Sequence, residues 1–283
     1  MNKRQKYSIV LFVVLTFVVV VLSYYANNYI GKVKGASTQQ KTTAEIIFLD
    51  VGQGDAILIQ QGWTQILIDG GDGQEILNRL GEFMPLGDRK IELVVATHPD
   101  EDHMGGLVKV LQYYEVGEIL ESDIACDKDL CKKWEDLIAA DNILTLDAKL
   151  GQEINLDEDV ELSVLYPFTD IDGEEFKNSN VASLVFKASV AGRKYLLMGD
   201  TESDTEKQLV ASNLELSADV LKVSHHGSKN ATSAEFLQAV SLKQAVISVG
   251  ENSYGHPTEE VLNRLRNMNI EVLRTDQAGS VRF

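Results

Sequence analysis

Hydrophobic and polar positions divide the chain into three unequal parts. From Tyr7 to Ile30 no residue is charged, and Ile9–Leu22 is apolar except for Thr16. At ~1.5 Å per residue a helix of that length crosses a ~30 Å hydrocarbon core, so residues 1–30 are expected to form a basic leader and a transmembrane anchor. A cleaved secretory signal is the competing reading, and it needs small residues at −3 and −1. With Ala26 at −1 the −3 residue is Tyr24, and with Ala36 it is Lys34. Three basic residues precede the run and three lysines follow it; with the short leader, this favours a cytoplasmic amino terminus and an extracytoplasmic body. Residues 31–43 (GKVKGASTQQKTT) have no core-forming pattern and read as a flexible linker.

From residue 44 to residue 283 the pattern becomes one of short strands and amphipathic helices. Glu45–Asp50, Asp55–Gln60 and Thr64–Asp69 are strand-like runs joined by Gly-containing turns, as in antiparallel hairpins, and Glu92–Thr97 is a fourth. Helices are expected at Gln74–Phe83, at Met104–Tyr114, with Leu107, Val110 and Leu111 on one face, and at 128–140. The second half predicts strands at Val160–Tyr166, Val181–Val190, Arg193–Met198, Val220–Ser224, Ala245–Val249, Ile270–Leu273 and Ser280–Phe283. Helices fall between them at Ser203–Ala211, Ala234–Val240 and Pro257–Met268.

The halves echo each other. In each, a strand running into an aspartate (Asp69, Asp200) is followed by a helix and then a strand running into a histidine (His98, His225). Two facing mixed sheets, each backed by helices, would bring those ends to one edge. The expected fold is therefore α/β, a four-layer αββα sandwich behind one N-terminal transmembrane helix.

Charge narrows the partners. The chain has 26 Lys+Arg against 43 Asp+Glu, and six of the basic residues but none of the acids lie in residues 1–44. A body so acidic lacks the cationic surface that supplies most nucleic-acid affinity. If nucleic acid is a substrate, something other than Lys and Arg must neutralise the phosphate locally. Cys126 and Cys131 either close a small disulfide loop, as suits an exported domain, or remain inert thiols; a four-cysteine zinc site is excluded.

All five histidines sit in three short clusters: His98 and His103 in THPDEDHMGG, His225 and His226 in KVSHHGS, and His256 in YGHP. Imidazole and carboxylate together are the ligand set of a hydrolytic zinc or manganese centre. In His98–His103, four potential ligands fall within six residues, a spacing that reads as a loop folded around metal rather than successive turns of a helix. Pro99 disfavours helix at His98, while Gly105 and Gly106 permit close backbone approach where the next helix begins. If His98 and Asp100 point one way and Asp102 and His103 the other, the loop suits two metals ~3.5–4 Å apart, with Asp200 as the shared carboxylate.

FLDVGQGDAILI, LIDGG, HPDEDHMGG, LLMGD, KVSHHGS, YGHP and RTDQAGSV together resemble the metallo-β-lactamase superfamily, and within it the hydrolase-like domain of ComEC-type competence (DNA-uptake) proteins. The resemblance covers about residues 44–283 and implies the αββα fold and a hydrolytic site for two divalent ions, Zn2+ or Mn2+. The family's H-x-H-x-D-H motif falls on His98, Asp100, Asp102 and His103, with Asp100 replacing the second histidine. The bridging aspartate falls on Asp200, and the late histidines on His225 and His256; Asp69 would orient the ligand loop from behind. No histidine lies between 104 and 224, where most members have one, and Asn180 and Ser183 occupy that neighbourhood. The harder ligand set lets Mn2+ compete better with Zn2+.

The resemblance implies a phosphodiesterase or nuclease, with single-stranded DNA as a substrate and a separate polytopic uptake channel as a partner at the cytoplasmic membrane. Lys222, Ser228 and Asn180 are candidates for substrate contact, though Lys222 reads equally as a strand residue facing solvent. His256 is a metal ligand or a general acid, Asp100 and His226 are further catalytic candidates, and His226 can instead orient His225. Two other roles remain open: cleavage of wall phosphodiesters, small esters or lactams, and a non-catalytic, metal-bound partner of a channel.

Overall fold

Two sheets of equal size and parallel design build the molecule. The structure, a computed structural model, describes residues 42–283 apart from 123 and 158. The expected anchor, and the linker up to residue 41, lie outside the described residues. No helix among the described residues is long and apolar enough to cross a membrane.

In the first sheet β1 (Glu45–Phe48), β2 (Ile57–Gln61) and β3 (Thr64–Ile68) form an antiparallel meander. After helix α1 (Glu75–Phe83) the connections become parallel: β4 (Lys90–Ala96), α2 (Glu101–Tyr113), β5 (Glu115–Glu121), α3 (Asp129–Asp141) and β6 (Leu144–Asp147). The second sheet begins with antiparallel β7 (Glu153–Asp157), β8 (Val160–Tyr166), β9 (Val185–Val190) and β10 (Arg193–Leu197). It continues in parallel through α4 (Ser203–Ala211), β11 (Val220–Lys222), α5 (Ala234–Val240), β12 (Gln244–Ile247), α6 (Glu259–Asn267) and β13 (Glu271–Arg274). After α7 (Thr275–Ala278), the closing strand β14 (Val281–Arg282) crosses back and pairs with β1. The echo between the halves thus has a structural counterpart: the switch from antiparallel to parallel comes at β3–β4 in one sheet and β10–β11 in the other.

Alternate residues of the strands enter different layers. Ile46, Phe48, Ile57, Ile59, Leu162 and Phe186 pack between the sheets. Ile47, Leu58, Leu67 and Val94 face helices carrying Leu80, Leu107 and Leu111, while Leu196, Leu221 and Ile247 face Leu209, Phe236 and Leu265. Three cores separating two sheets and two helical faces make the αββα order.

Three strands were not anticipated. β5 (EVGEILE) places charges on a partly exposed strand, and β6 and β7 are edge strands with little burial, so none shows a clean alternation. The long strand expected at Val181–Val190 is shorter. Asn178 accepts a hydrogen bond from the Asn180 N–H (3.1 Å) and holds Ser179–Ala182 in a 3-10 turn, so the strand begins at Val185.

Candidate metal centre

The His98–His103 segment is only half a loop. Helix α2 begins at Glu101 with Asp100 as its N-cap residue, and the Met104 N–H donates to the Asp100 carbonyl at 2.8 Å. Asp102 and His103 therefore lie in the first helical turn, where Glu101 and Asp102 complement the positive end of the helix dipole. This corrects the expectation of a free ligand loop. Gly106 explains why the helix can sit there: a Cβ on it would lie 1.9 Å from the Gly70 carbonyl oxygen, and its N–H donates to the Gly71 carbonyl at 2.7 Å. Gly54 presses equally closely on the Asp102 carbonyl, which accepts from the Asp55 N–H at 3.1 Å. The turns after β1 and β3 are thereby locked to the start of α2.

On the other sheet β11 ends in a turn where His225 (φ 48°) and His226 (φ 51°) both adopt the left-handed conformation. Such backbone is costly for non-glycine residues and persists where surrounding structure imposes it, often at functional sites. One ligand atom from each of Asp102, His103, Asp200 and His226 lies within 4.8 Å of the others. Asp200 joins several partners: its Oδ1 is 3.3 Å from His103 Nε2, and its Oδ2 is 3.4 Å from His226 Nε2 and 3.7 Å from His225 Nε2. Asp102 Oδ2 is 3.2 Å from His226 Nε2. Beside this group, Asp100 Oδ2 lies 3.7 Å from His98 Nε2, and the rings of His98 and His103 are 4.2 Å apart.

Four buried atoms test whether metal fits. His98 Nε2, His103 Nε2, His226 Nε2 and Asp200 Oδ1 are buried with no hydrogen-bond partner among the described residues. Buried polar atoms are normally satisfied, and leaving several without a hydrogen-bond partner is unfavourable unless a cation takes them. The opposite imidazole nitrogens are already fixed: His103 Nδ1 lies 2.8 Å from Asp69 Oδ2, His226 Nδ1 2.9 Å from the Ser248 carbonyl, and His98 Nδ1 3.0 Å from Thr97 Oγ1. Asp69 is itself held by the Thr97 N–H (2.9 Å) and hydroxyl (2.7 Å). Metal-ligating histidines are oriented in this way.

The charges favour the same centre. Burial opposes charging of His103 and His226, yet Asp200, with Asp69 at the first and Asp102 at the second, holds both imidazoles well above their ordinary value. Asp200 is held well below the usual carboxylate range by His226 and His103, against its own burial. His98 is instead pushed down to about 4, first by burial and then by His103.

His226, rather than His225, enters the four-residue group. His225 stands at the partly exposed rim, 3.4 Å from Asn180 Nδ2 and Glu202 Oε1 through its Nδ1, with its ring 5.5 Å from that of His256. His256 closes its own loop, its N–H donating to Asn252 Oδ1 at 3.0 Å. Ser228 is buried at the end of the His225–His226 turn.

Lys222 neither faces solvent nor reaches the rim. It shares the inter-sheet face of β11 with Val220, is fully buried, and places Nζ 2.6 Å from Asp55 Oδ2 and 2.9 Å from the Val223 carbonyl. Asp55 is the residue that sequence reasoning passed over. It braces Asp102 through its backbone and lies 3.4 Å from His226 Nδ1 through its side chain. The available signal was an acid set between a glycine and the apolar run AILI.

Comparison with known proteins identifies the family. ComE operon protein 3 of Bacillus subtilis is 30% identical over 260 residues, covering 84% of this chain and 33% of that protein. Competence protein ComA of Neisseria gonorrhoeae is 31% identical over 251 residues, covering 85% and 32%. The chain spans about a third of the length of these curated relatives. The crystal structure of YhfI, a metallo-beta-lactamase fold protein from Bacillus subtilis, superposes with a TM-score of 0.56 at 11% identity, covering 85% of this chain and 100% of that one, a likeness of fold. Because the model of the metallo-beta-lactamase superfamily matches residues 49–251, a span that holds the whole cluster from Asp55 to His226, the chain belongs to that superfamily.

Proposed function

We propose that this chain is a two-metal hydrolase that cleaves phosphodiesters, acting on single-stranded DNA during uptake and held at the outer face of the cytoplasmic membrane by residues 1–30. The observation that carries this reading is the convergence of one ligand atom each from Asp102, His103, Asp200 and His226 within 4.8 Å of one another, with His103 Nε2, His226 Nε2 and Asp200 Oδ1 buried and lacking a hydrogen-bond partner among the described residues. Asp102, His103, Asp200 and His226 would hold one cation, and His98 and Asp100 a second, with Asp200 between them. When bound, two divalent ions, Zn2+ or Mn2+, make water acidic enough to attack and neutralise phosphate charge that this acidic body cannot.

The chain's own residues supply the rest. Asp100, Asp102 and His225 are the partly exposed members of the set, so substrate approaches from their side. His225 and His256 line that rim, where an imidazole N–H can pass a proton to the leaving oxygen, and Asn180 can donate to a phosphate oxygen. The names of two relatives, ComE operon protein 3 and competence protein ComA, support a place in competence, with a polytopic DNA-uptake channel as partner. The Cys126–Cys131 disulfide suits an oxidising, extracytoplasmic setting.

The test is cleavage of single-stranded DNA by the full chain in detergent, stripped of metal and reloaded with Mn2+ or Zn2+. Cutting should require metal and vanish in Asp200→Ala. No cutting by protein holding two equivalents of metal would exclude the nuclease and turn the search to smaller esters. Full activity in Asp200→Ala would refute the shared ligand.

A further inference from the structure

Lys128 lies between Cys126 and Cys131, which are joined by a disulfide with Cα atoms 6.1 Å apart. It is the N-cap residue of α3, and its Nζ crosses to the metal-holding segment, donating to Asp100 Oδ1 at 2.7 Å and to the Pro99 carbonyl at 3.0 Å. The Ser179 hydroxyl donates to the same Oδ1 at 2.6 Å. Two donors on Oδ1 leave Oδ2 as the atom facing His98 Nε2, at 3.7 Å. Two ligands at ~2.0–2.2 Å from one cation can stand that far apart.

An exposed lysine would not hold this position unaided. Half of the Lys128 side chain is open to solvent, and such ion pairs contribute ~1 kcal/mol or less against the freedom of the side chain. The segment from Ile124 to Leu130 has no buried side chain and, before α3, no regular structure. Its anchor is Cys131, buried in the first turn of α3 beside a small cavity that His98, Pro99 and Trp134 also line. The disulfide ties Cys126 to that anchor and so fixes the loop from which Lys128 reaches Asp100.

We infer that Lys128 is a positioning residue for Asp100, delivered by the Cys126–Cys131 disulfide, and that the cation at His98 and Asp100 binds more tightly while this bond is intact. The inference rests on the two-metal reading above. Hydrogen-bond partners behind a metal ligand are worth 10–100-fold in affinity, which sets the size of the effect. A dithiol reductant opens the loop by exchange: the two cysteines take up two electrons and two protons to become thiols, and the reductant becomes a disulfide.

The experiment titrates metal-stripped full chain in detergent with Mn2+, which has little preference for the thiols that reduction creates. Equivalents and affinities are counted by elemental analysis and by the Mn2+ electron spin resonance signal. Oxidised wild type should bind two equivalents. Reduced wild type, the Cys126→Ser/Cys131→Ser variant and Lys128→Met should each bind one equivalent 10–100-fold more weakly and leave the other unchanged. Lys128→Arg, which keeps a donor, should recover most of the loss. Two equivalents of unaltered affinity in the serine variant or in Lys128→Met would overturn this inference alone, as would equal weakening of both. Wild type that takes up no Mn2+ would overturn the two-metal reading and this inference with it.

Discussion

Lys222 Nζ lies 2.6 Å from Asp55 Oδ2, and both side chains are buried between the two sheets just behind the metal centre. Burial opposes ionisation of Asp55, but Lys222, joined by His226 and His103, keeps the carboxyl below its ordinary value. Removing one partner of such a pair strands the other charge in the interior, at a cost of ~3–5 kcal/mol. Lys222→Met should therefore lower the unfolding free energy by about that amount, read by urea denaturation. Adding Asp55→Leu should restore part of it, because the stranded charge is then gone. A double variant less stable than the sum of the single variants would mean the pair is not the coupled unit described here.

Asp69 offers a cleaner separation of stability from metal binding. Its carboxylate fixes His103 Nδ1 at 2.8 Å while its backbone sits at φ 57°, a conformation that asparagine tolerates well. Asp69→Asn should therefore keep the fold but lose the charge that holds His103 in its ligand orientation. Metal affinity should fall 10–100-fold with thermal unfolding of the metal-free protein little changed. Unaltered affinity would show that the Ser248-held His226 and Asp200 suffice without an oriented His103.

These residues also mark how far the sequence could be read. Strands with both faces buried stand out as apolar runs, and the histidine clusters mark the strand ends where the centre lies. The sequence could not say which of His225 and His226 points inward. Alternation along β11 stops at Lys222, and two successive left-handed residues then turn the chain so that His226 faces the centre. Lys222 was illegible for a related reason. A lysine in a strand ordinarily marks the solvent face, and its partner Asp55 lies in the turn before β2 of the opposite sheet, 167 positions earlier in the chain. Charge pairs across layers leave no periodic trace.

Two glycines make opposite predictions from their surroundings. Gly106 of α2 has no room for a methyl group, since the Gly70 carbonyl would lie 1.9 Å away and is backbone that cannot swing aside. Gly106→Ala should cost ~1–3 kcal/mol or more and shift α2, loosening the metal centre as well. Gly81, within α1, has nothing within 4 Å of a Cβ. Gly81→Ala should stabilise the protein by ~0.5–1 kcal/mol through helix propensity and a less flexible unfolded chain. Thermal unfolding of both variants checks the pair; a neutral Gly106→Ala would contradict the packing of α2 on the β3 turn.

Glu206 gives a pH dependence that does not involve the metal ligands. It is buried on α4, where its carboxylate accepts from the backbone N–H groups of Thr232 and Ser233 ahead of α5. Burial pushes its carboxyl above the ordinary value, even though those N–H groups and Arg264 pull it down. For an acid whose folded value is raised, the folded state binds protons more readily than the unfolded one, so stability declines as pH rises from the unfolded value through the folded value. Glu206→Gln abolishes that titration while losing one acceptor, a constant penalty of ~1–3 kcal/mol for the unpaired N–H. The variant should thus be least favourable relative to wild type in acid and recover as pH increases into the neutral range. Urea denaturation of both proteins at several pH values checks the sign: a difference that stays flat or widens with pH would mean that the backbone donors, not burial, govern this carboxylate.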